Sequence, residues 1–351
     1  MKKSFFSNES NFLIINKFLV VFFVLLPGLV FADGGGKSEG EEEAFNPSEL
    51  IDHHIADAHS WEITHGLTVH LPVIVYSEEK GLDIFSSANF YDEHHNVVPF
   101  NGYVMDHEHI YLENGGHVFD ISITKNVLFL LIDALLLVLT FTAVAKGYKK
   151  NEGRAPKGIQ SFFEPLILFI RDDIAKENIG EKKYERFMPF LLTVFFFIWF
   201  GNLLGLLPGA ANLTGNISVT LVLAGITLLM TITSGRKTYW LHIVDPLGKS
   251  MPWGGKLLLY IILWPVEIIG IFTKPFSLMV RLFANITAGH ILILSILSLV
   301  FITQSLAVGV AGAVFATVMN MLELFVAILQ AYVFTLLSAM YFGQAVEEGH
   351  H

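Results

Sequence analysis

Residues 257–301 read LLLYIILWPVEIIGIFTKPFSLMVRLFANITAGHILILSILSLVF, and this stretch decides the fold. It is far longer than the roughly 20 apolar residues that a perpendicular membrane helix needs, so it predicts an overlong, tilted span. Five charged, amide or imidazole side chains interrupt it: Glu267, Lys274, Arg281, Asn285 and His290. A charge at bilayer depth costs at least ~2.5–3.5 kcal/mol on insertion scales, so each of these residues calls for a reason. At 100° per residue, Glu267, Lys274 and Asn285 fall within about 40° of Arg281 and form one polar stripe. His290 lies about 180° from Arg281 and faces elsewhere.

A second long apolar stretch, roughly Val308–Phe342, follows after the uncharged Ile302–Ala307. It carries Asn320, Glu323 and Gln330, the last two seven residues apart and so on one face. Together the two stretches predict a long tilted hairpin closed by a short turn. Arg281 cannot release its proton and so cannot relay one; it can interrupt a proton wire and attract a carboxylate. His290 and Glu323 can bind and release protons. These residues describe a proton path interrupted by a guanidinium.

Working back toward the N-terminus, Val127–Ala145 is nearly continuous in apolar residues, broken only by Asp133. Lys146, Lys149, Lys150, Arg154 and Lys157 follow against the single acid Glu152, which marks a cytoplasmic loop. Residues 159–179 set Phe162, Phe163, Leu166, Phe169 and Ile170 against Glu164, Arg171, Asp172 and Asp173, the pattern of an interfacial amphipathic helix. Phe187–Leu207 is predicted to cross outward, Pro208–Asn216 to turn outside, and Ile217–Thr233 to cross back. Residues 234–256, with Arg236, Lys237, Lys249 and Lys256 against Asp245, read as cytoplasmic again. The expected fold class is an all-α polytopic membrane protein with five crossings and one surface helix.

Charge is divided unevenly along the chain. The net −10 combines a leader of +2 over residues 1–32, a segment of −16 over 33–120 and a body of +4 over 121–351. Lys2 and Lys3, then apolar Phe18–Phe31 ending at Ala32, are the pattern of a secretory signal peptide, with cleavage expected after Ala32; a retained first helix is the other reading. Residues 33–120 would then form an acidic extracytoplasmic extension that holds 10 of the 14 histidines, among them His53, His54, His94, His95, His107 and His109. Their spacing matches no standard zinc signature, and a solvated acidic domain is favoured over proton collection or metal binding. Leu67–Tyr76 and Asn96–Val104 look strand-like, so the extension is read as a small β-rich cap.

Composition excludes several classes. Only 15% of the residues are charged while 53% are hydrophobic, with mean hydropathy +0.56, against about a quarter charged in soluble proteins. The absence of cysteine removes disulfides and thiolate chemistry. No phosphate-cradling glycine motif occurs, and no H-E-x-x-H of a membrane metalloprotease. A secondary ion-coupled transporter also uses intramembrane charges, but it would favour paired repeats between halves, and none is evident.

The segment 274–290, KPFSLMVRLFANITAGH, and 323–334, ELFVAILQAYVF, resemble the two signature helices of subunit a of F-type ATP synthases, with a bacterial architecture. The resemblance covers about residues 120–348, including Asn202 in FGNLLGLLP. It implies a stationary proton channel beside a rotating ring of c subunits, attached to the b subunits of the peripheral stalk and to the other ATP synthase subunits. It also implies a place among lipid in the bacterial inner membrane, with the mature N-terminus outside and the C-terminus inside. No cofactor, no nucleic acid and no catalytic site of its own are implied. Arg281 matches the arginine that faces the ring carboxylate, Asn285 and Gln330 match polar residues near it, and Glu267 matches an acidic position of the release half-channel. His290 and Glu323 match the uptake half-channel, with imidazole and carboxylate exchanged relative to some bacterial members. Lys274, ahead of Pro275, reads as a side chain reaching for the cytoplasmic interface. The sequence leaves Asp133 between helix packing and a channel mouth.

Overall fold

The computed structural model describes residues 57–64, 67–92, 96–106, 108–207, 209–245 and 253–347. The expected signal peptide and the histidines at 53, 54, 94, 95 and 107 lie outside these residues. The chain divides into two compact units. One comprises the described part of Met1–Phe129 with Leu204–Ala211 and Ala288–Phe325; the other comprises Leu130–Leu203, Asn212–Thr287 and the described part of Val326–His351.

Short antiparallel strands begin the first unit: β1 (Ser60–Thr64), β2 (Leu67–His70), β3 (Pro72–Ser77), β4 (Gly81–Ser86), β5 (Tyr103–Asp106), β6 (His109–Leu112) and β7 (Phe119–Asp120). β1 pairs with β2, β5 with β6, and β3 lies between β4 and β7. Alternation along β3 sends Val73 and Val75 inward, where they pack with Phe90, Tyr103, Met105, Ile110 and Leu112. The expected β-strand content is therefore present, with two differences. Leu67–Tyr76 is broken into β2 and β3 at Leu71, whose amide bonds back to the His59 carbonyl. Asn96–Val104 is largely irregular: Val97 and Phe100 make only isolated bridges, and β5 starts at Tyr103.

Helices follow: α1 (Lys125–Lys150), α2 (Ile159–Phe169), α3 (Tyr184–Gly205), α4 (Ile217–Ser234), α5 (Lys237–Val244), α6 (Trp253–Thr303) and α7 (Leu306–Val346). A π-helical stretch, Ile170–Lys176, and a last turn, Glu177–Ile179, prolong α2, so the amphipathic segment ends where its sequence pattern ends. Among the described residues, five helices are long and apolar enough to cross a membrane: Lys125–Lys150, Met188–Gly205, Ile217–Ser234, Leu259–Val300 and Leu306–Val346. The fold is that of a polytopic, mostly helical membrane protein.

Between the α4 and α6 spans a short helix intervenes: α5 occupies Lys237–Val244, and α6 already starts at Trp253. Charge counting assigned the side of the membrane but could not see a short helix whose apolar Trp240, Leu241 and Val244 are exposed. The helix is fastened by its end: the Trp264 indole donates to the Val244 carbonyl at 2.8 Å, and the Tyr260 hydroxyl to Asp245.

Aromatic and β-branched side chains fill the second unit. Phe187 stacks on Phe342 with centroids 4.8 Å apart, and Ile170, Ile174, Leu191, Phe196, Ile198 and Leu278 are almost completely buried around them. The end of α7 is held by polar bonds as well. The Arg236 amide donates to the Ala345 carbonyl and the Lys183 ammonium to the Val346 carbonyl.

Candidate functional site

Within the first unit, the Ala288–Thr303 part of α6 and the Leu306–Phe325 part of α7 form a hairpin around the turn Gln304–Ser305. Gly312 lets the two helices approach closely, since a Cβ there would stand 2.8 Å from a Val300 methyl. Deeper in the same hairpin His290 Nδ1 lies 4.0 Å from Glu323 Oε1, and Glu323 is only 5% exposed. Gly289 opens the space for that carboxylate, because a Cβ on it would be 3.2 Å from Glu323 Oε1. The expected imidazole–carboxylate pair is thus brought together. Gly289 was not singled out in the sequence, although a residue without a side chain beside a titratable one was the available signal.

In the second unit, α6 and α7 line an open cleft of about 390 Å³ bounded by Arg281, Asn285, Val326, Leu329, Gln330 and Val333. Arg281 and Asn285 are four residues apart on α6 and both exposed, whereas Gln330 is buried, at 4% exposure. The Gln330 amide donates to the Arg281 main-chain carbonyl at 3.1 Å. That bond fixes the helix at Arg281 without engaging its guanidinium. Among the described residues the guanidinium has no carboxylate within ion-pair distance, although charges in membranes are usually paired. The cleft therefore offers an exposed, always charged cation beside the amides Asn285 and Gln330 on a wall completed by Val326, Leu329 and Val333, suited to a transient anionic partner.

The polar stripe of α6 does not act as one cluster. Glu267 Oε1 lies 4.0 Å from His242 Nδ1 of α5. Lys274 donates to the Gln344 side chain at 2.7 Å and sits 5.6 Å from the Tyr341 ring centroid, so it is tied to the end of α7. Sharing a helical face sets direction only; the neighbouring helix selects the partner.

A buried polar link joins α3 and α7 in the same unit. Asn202, 3% exposed, donates to the Ala327 carbonyl at 3.2 Å and accepts from Thr214. Thr214 lies in the short 3₁₀ turn Leu213–Gly215 before α4. Each polar atom that the link buries is answered by another, which a dry interior requires.

At the base of the β-rich cap, His59 is 2% exposed and stands between two acids. Its Nε2 is 3.1 Å from Asp120 Oδ2, and its Nδ1 is 3.5 Å from Glu108 Oε2, an ion-pair distance that is long for a hydrogen bond. Burial opposes charge on the ring, but the bond to Asp120 and the nearby carboxylates of Asp120 and Glu108 outweigh it and push the imidazole up to about 9. Asp120 feels desolvation too, yet the same bond and those from Ser122 hold it below the usual carboxylate range. Among the described residues no group of three or more His, Asp or Glu has metal-holding geometry.

Two family profiles match the chain, and they divide it close to the start of α1. Residues 127–343 match "ATP synthase A chain", and residues 50–128 match a domain of unknown function, DUF8433. Among curated relatives, "ATP synthase subunit a" of Chloroherpeton thalassium is 48% identical over 241 residues, covering 68% of this chain and 71% of that protein. "ATP synthase subunit a 2" of Chlorobaculum tepidum is 46% identical over 276 residues, 77% of this chain and 74% of that protein. "ATP synthase subunit a" of an Anaeromyxobacter species is 38% identical over 325 residues, 90% of this chain and 74% of that protein.

Proposed function

Since the chain belongs to the ATP synthase A chain family, we propose how its residues divide the work of subunit a of an F-type ATP synthase. The chain is the ion-translocating membrane-sector subunit and has no catalytic site of its own. Arg281 meets the carboxylates of a rotating c ring, with Asn285 and Gln330 as its polar support. His290 and Glu323 form the uptake half-channel from the extracytoplasmic side, and Glu267 belongs to the release half-channel toward the cytoplasm. The subunit sits in the bacterial inner membrane against the c ring and the b subunits of the peripheral stalk. Its N-terminal signal peptide is removed after Ala32, the 33–120 extension stays outside, and the C-terminus stays inside.

A proton arriving between His290 and Glu323 passes to a ring carboxylate, which becomes neutral and can turn through lipid. After nearly a full rotation, another ring site meets Arg281. The adjacent guanidinium favours the ionised carboxylate, so the proton leaves by way of Glu267. Arg281 holds no transferable proton and keeps the two half-channels from joining. Each charge moved down the membrane potential supplies ~2.3 kcal/mol per 100 mV. The observation that carries this reading is the Arg281 guanidinium, without an ion-pair partner among the described residues, in an open cleft whose helix is fixed by the Gln330 bond.

The ring-facing role of the cleft is testable directly. The chain has no cysteine, so Leu329→Cys, at an exposed position on the cleft rim, provides a unique attachment point. A photoreactive benzophenone maleimide attached there in the assembled complex should capture subunit c. Capture of lipid alone, or of a stalk subunit alone, would remove the cleft from the ring interface.

A further inference from the structure

Asp133 is a buried acid that none of these roles uses. It is 0% exposed in the membrane helix α1, and neither carboxylate oxygen has a hydrogen-bond partner among the described residues. The rest of that helix is mostly open: Leu131, Leu135, Leu136, Val138 and Leu139 are all exposed. Asp133 instead shares the buried face with Val144, eleven residues and about 20° away at 100° per residue.

The opposing helix is cut back to receive it. Gly201 of α3 faces the carboxylate, and a Cβ on Gly201 would be 3.7 Å from Asp133 Oδ2. The neighbouring Asn202 belongs to the closed Thr214–Asn202–Ala327 link, so polar groups beside this position are satisfied while Asp133 is not. A purely structural design would place an apolar residue here, because burying an unpartnered polar group costs free energy and burying an unpaired charge costs more. A carboxyl whose oxygens have no fixed partner is left able to exchange a proton with any water that reaches it. That conditional behaviour is the property a relay needs.

We propose that Asp133 is a further proton-binding residue of the uptake path, lying between the extracytoplasmic water and the interior of the channel. The inference rests on the reading of the chain as the channel subunit and of α1 as running from outside to inside. Asp133 is the ninth residue of α1, about 12 Å along the helix from Lys125, which places it in the outer half of the span. Hydronium or water on the outer side delivers a proton to a carboxylate oxygen. The carboxyl then releases that proton inward to water, only O–H bonds being made and broken.

The test uses the whole ATP synthase reconstituted in vesicles, with ATP synthesis driven by an acid pulse on the extracytoplasmic side at graded pH. Asp133→Asn keeps size and polarity but cannot titrate. It should slow synthesis about tenfold, less than the ~10²–10⁴ typical of a committed acid–base group because water carries part of the flow, and should change the dependence on outer pH. Asp133→Glu should recover much of the rate. Gly201→Ala adds a methyl at ordinary contact distance, 3.4 Å from Leu213 Cδ1 and 3.7 Å from Asp133 Oδ2, and so should assemble normally while hindering water at the carboxylate. It should slow synthesis several-fold. An Asp133→Asn complex with unaltered rate and pH profile overturns the proposal. If that variant fails to assemble, an unaltered rate in Gly201→Ala overturns it instead. Arg281→Ala run in parallel separates the two readings, because its continued activity would refute the channel assignment rather than the role of Asp133 alone.

Discussion

His290 and Glu323 show what a single residue can and cannot reveal. Their chemistry was readable, since imidazole and carboxyl are groups that surroundings can tune. Their pairing across 4.0 Å depends on Gly289, whose missing side chain leaves room for the Glu323 carboxylate. If the pair acts together, exchanging the groups should preserve function better than disturbing one. His290→Glu with Glu323→His should support faster ATP-driven proton pumping in vesicles than either single change. Equal loss in all three variants would argue against direct cooperation. Gln330 was less legible: only the family resemblance put it near Arg281, and its partner is the Arg281 carbonyl, a main-chain partner that leaves no trace in sequence pattern.

At the scale of elements, the spans were legible because continuous apolar length and basic flanks follow directly from bilayer thickness and loop charge. The short helix α5 and the break between β2 and β3 were not, because both are settled by tertiary bonds. The same limit applies to Gly343 near the end of α7. A Cβ there would stand 2.0 Å from the Asn178 main-chain oxygen, which belongs to the turn Glu177–Ile179 after the π-helical stretch. Backbone cannot withdraw as a flexible side chain can, so Gly343→Ala should force the C-terminal turn of α7 away from Asn178. Overpacking of this kind costs about 1–3 kcal/mol, and the measurable result is a lower thermal midpoint and a smaller yield of assembled complex. Full assembly at the parental midpoint would show that α7 can shift without loss.

For the whole molecule, the −16 segment and the +4 body correspond to two family matches that meet near the start of α1. The β character of the N-terminal segment was legible, but not how its strands are tied to the start of α1. The fastening lies in the first unit: the Lys125 amide bonds to the Ala58 carbonyl, the Asn126 amide to Asp57, and His59 to Asp120. Histidines in an acidic segment read as solvated, and only three-dimensional packing distinguishes a buried one. His59 is raised to about 9 from an ordinary 6.5, so the folded cap binds its proton more tightly than the unfolded chain. Its contribution is complete below about pH 6.5 and is lost as pH climbs through about 9, an order-of-magnitude effect of up to about 3 kcal/mol. Hydrogen exchange of the strand amides in the intact complex should therefore accelerate between pH 6.5 and 9 beyond the intrinsic rise. His59→Gln should flatten that extra dependence, and an undiminished dependence in the variant would exclude His59 as its source.

The central claim is that the guanidinium of Arg281 couples proton movement to rotation. Its most direct test is Arg281→Ala in reconstituted vesicles, measuring ATP-driven acidification and ATP hydrolysis on the same preparation. The account predicts acidification at the level of vesicles lacking the complex, while hydrolysis by the catalytic head persists. Parental acidification by the variant would contradict it.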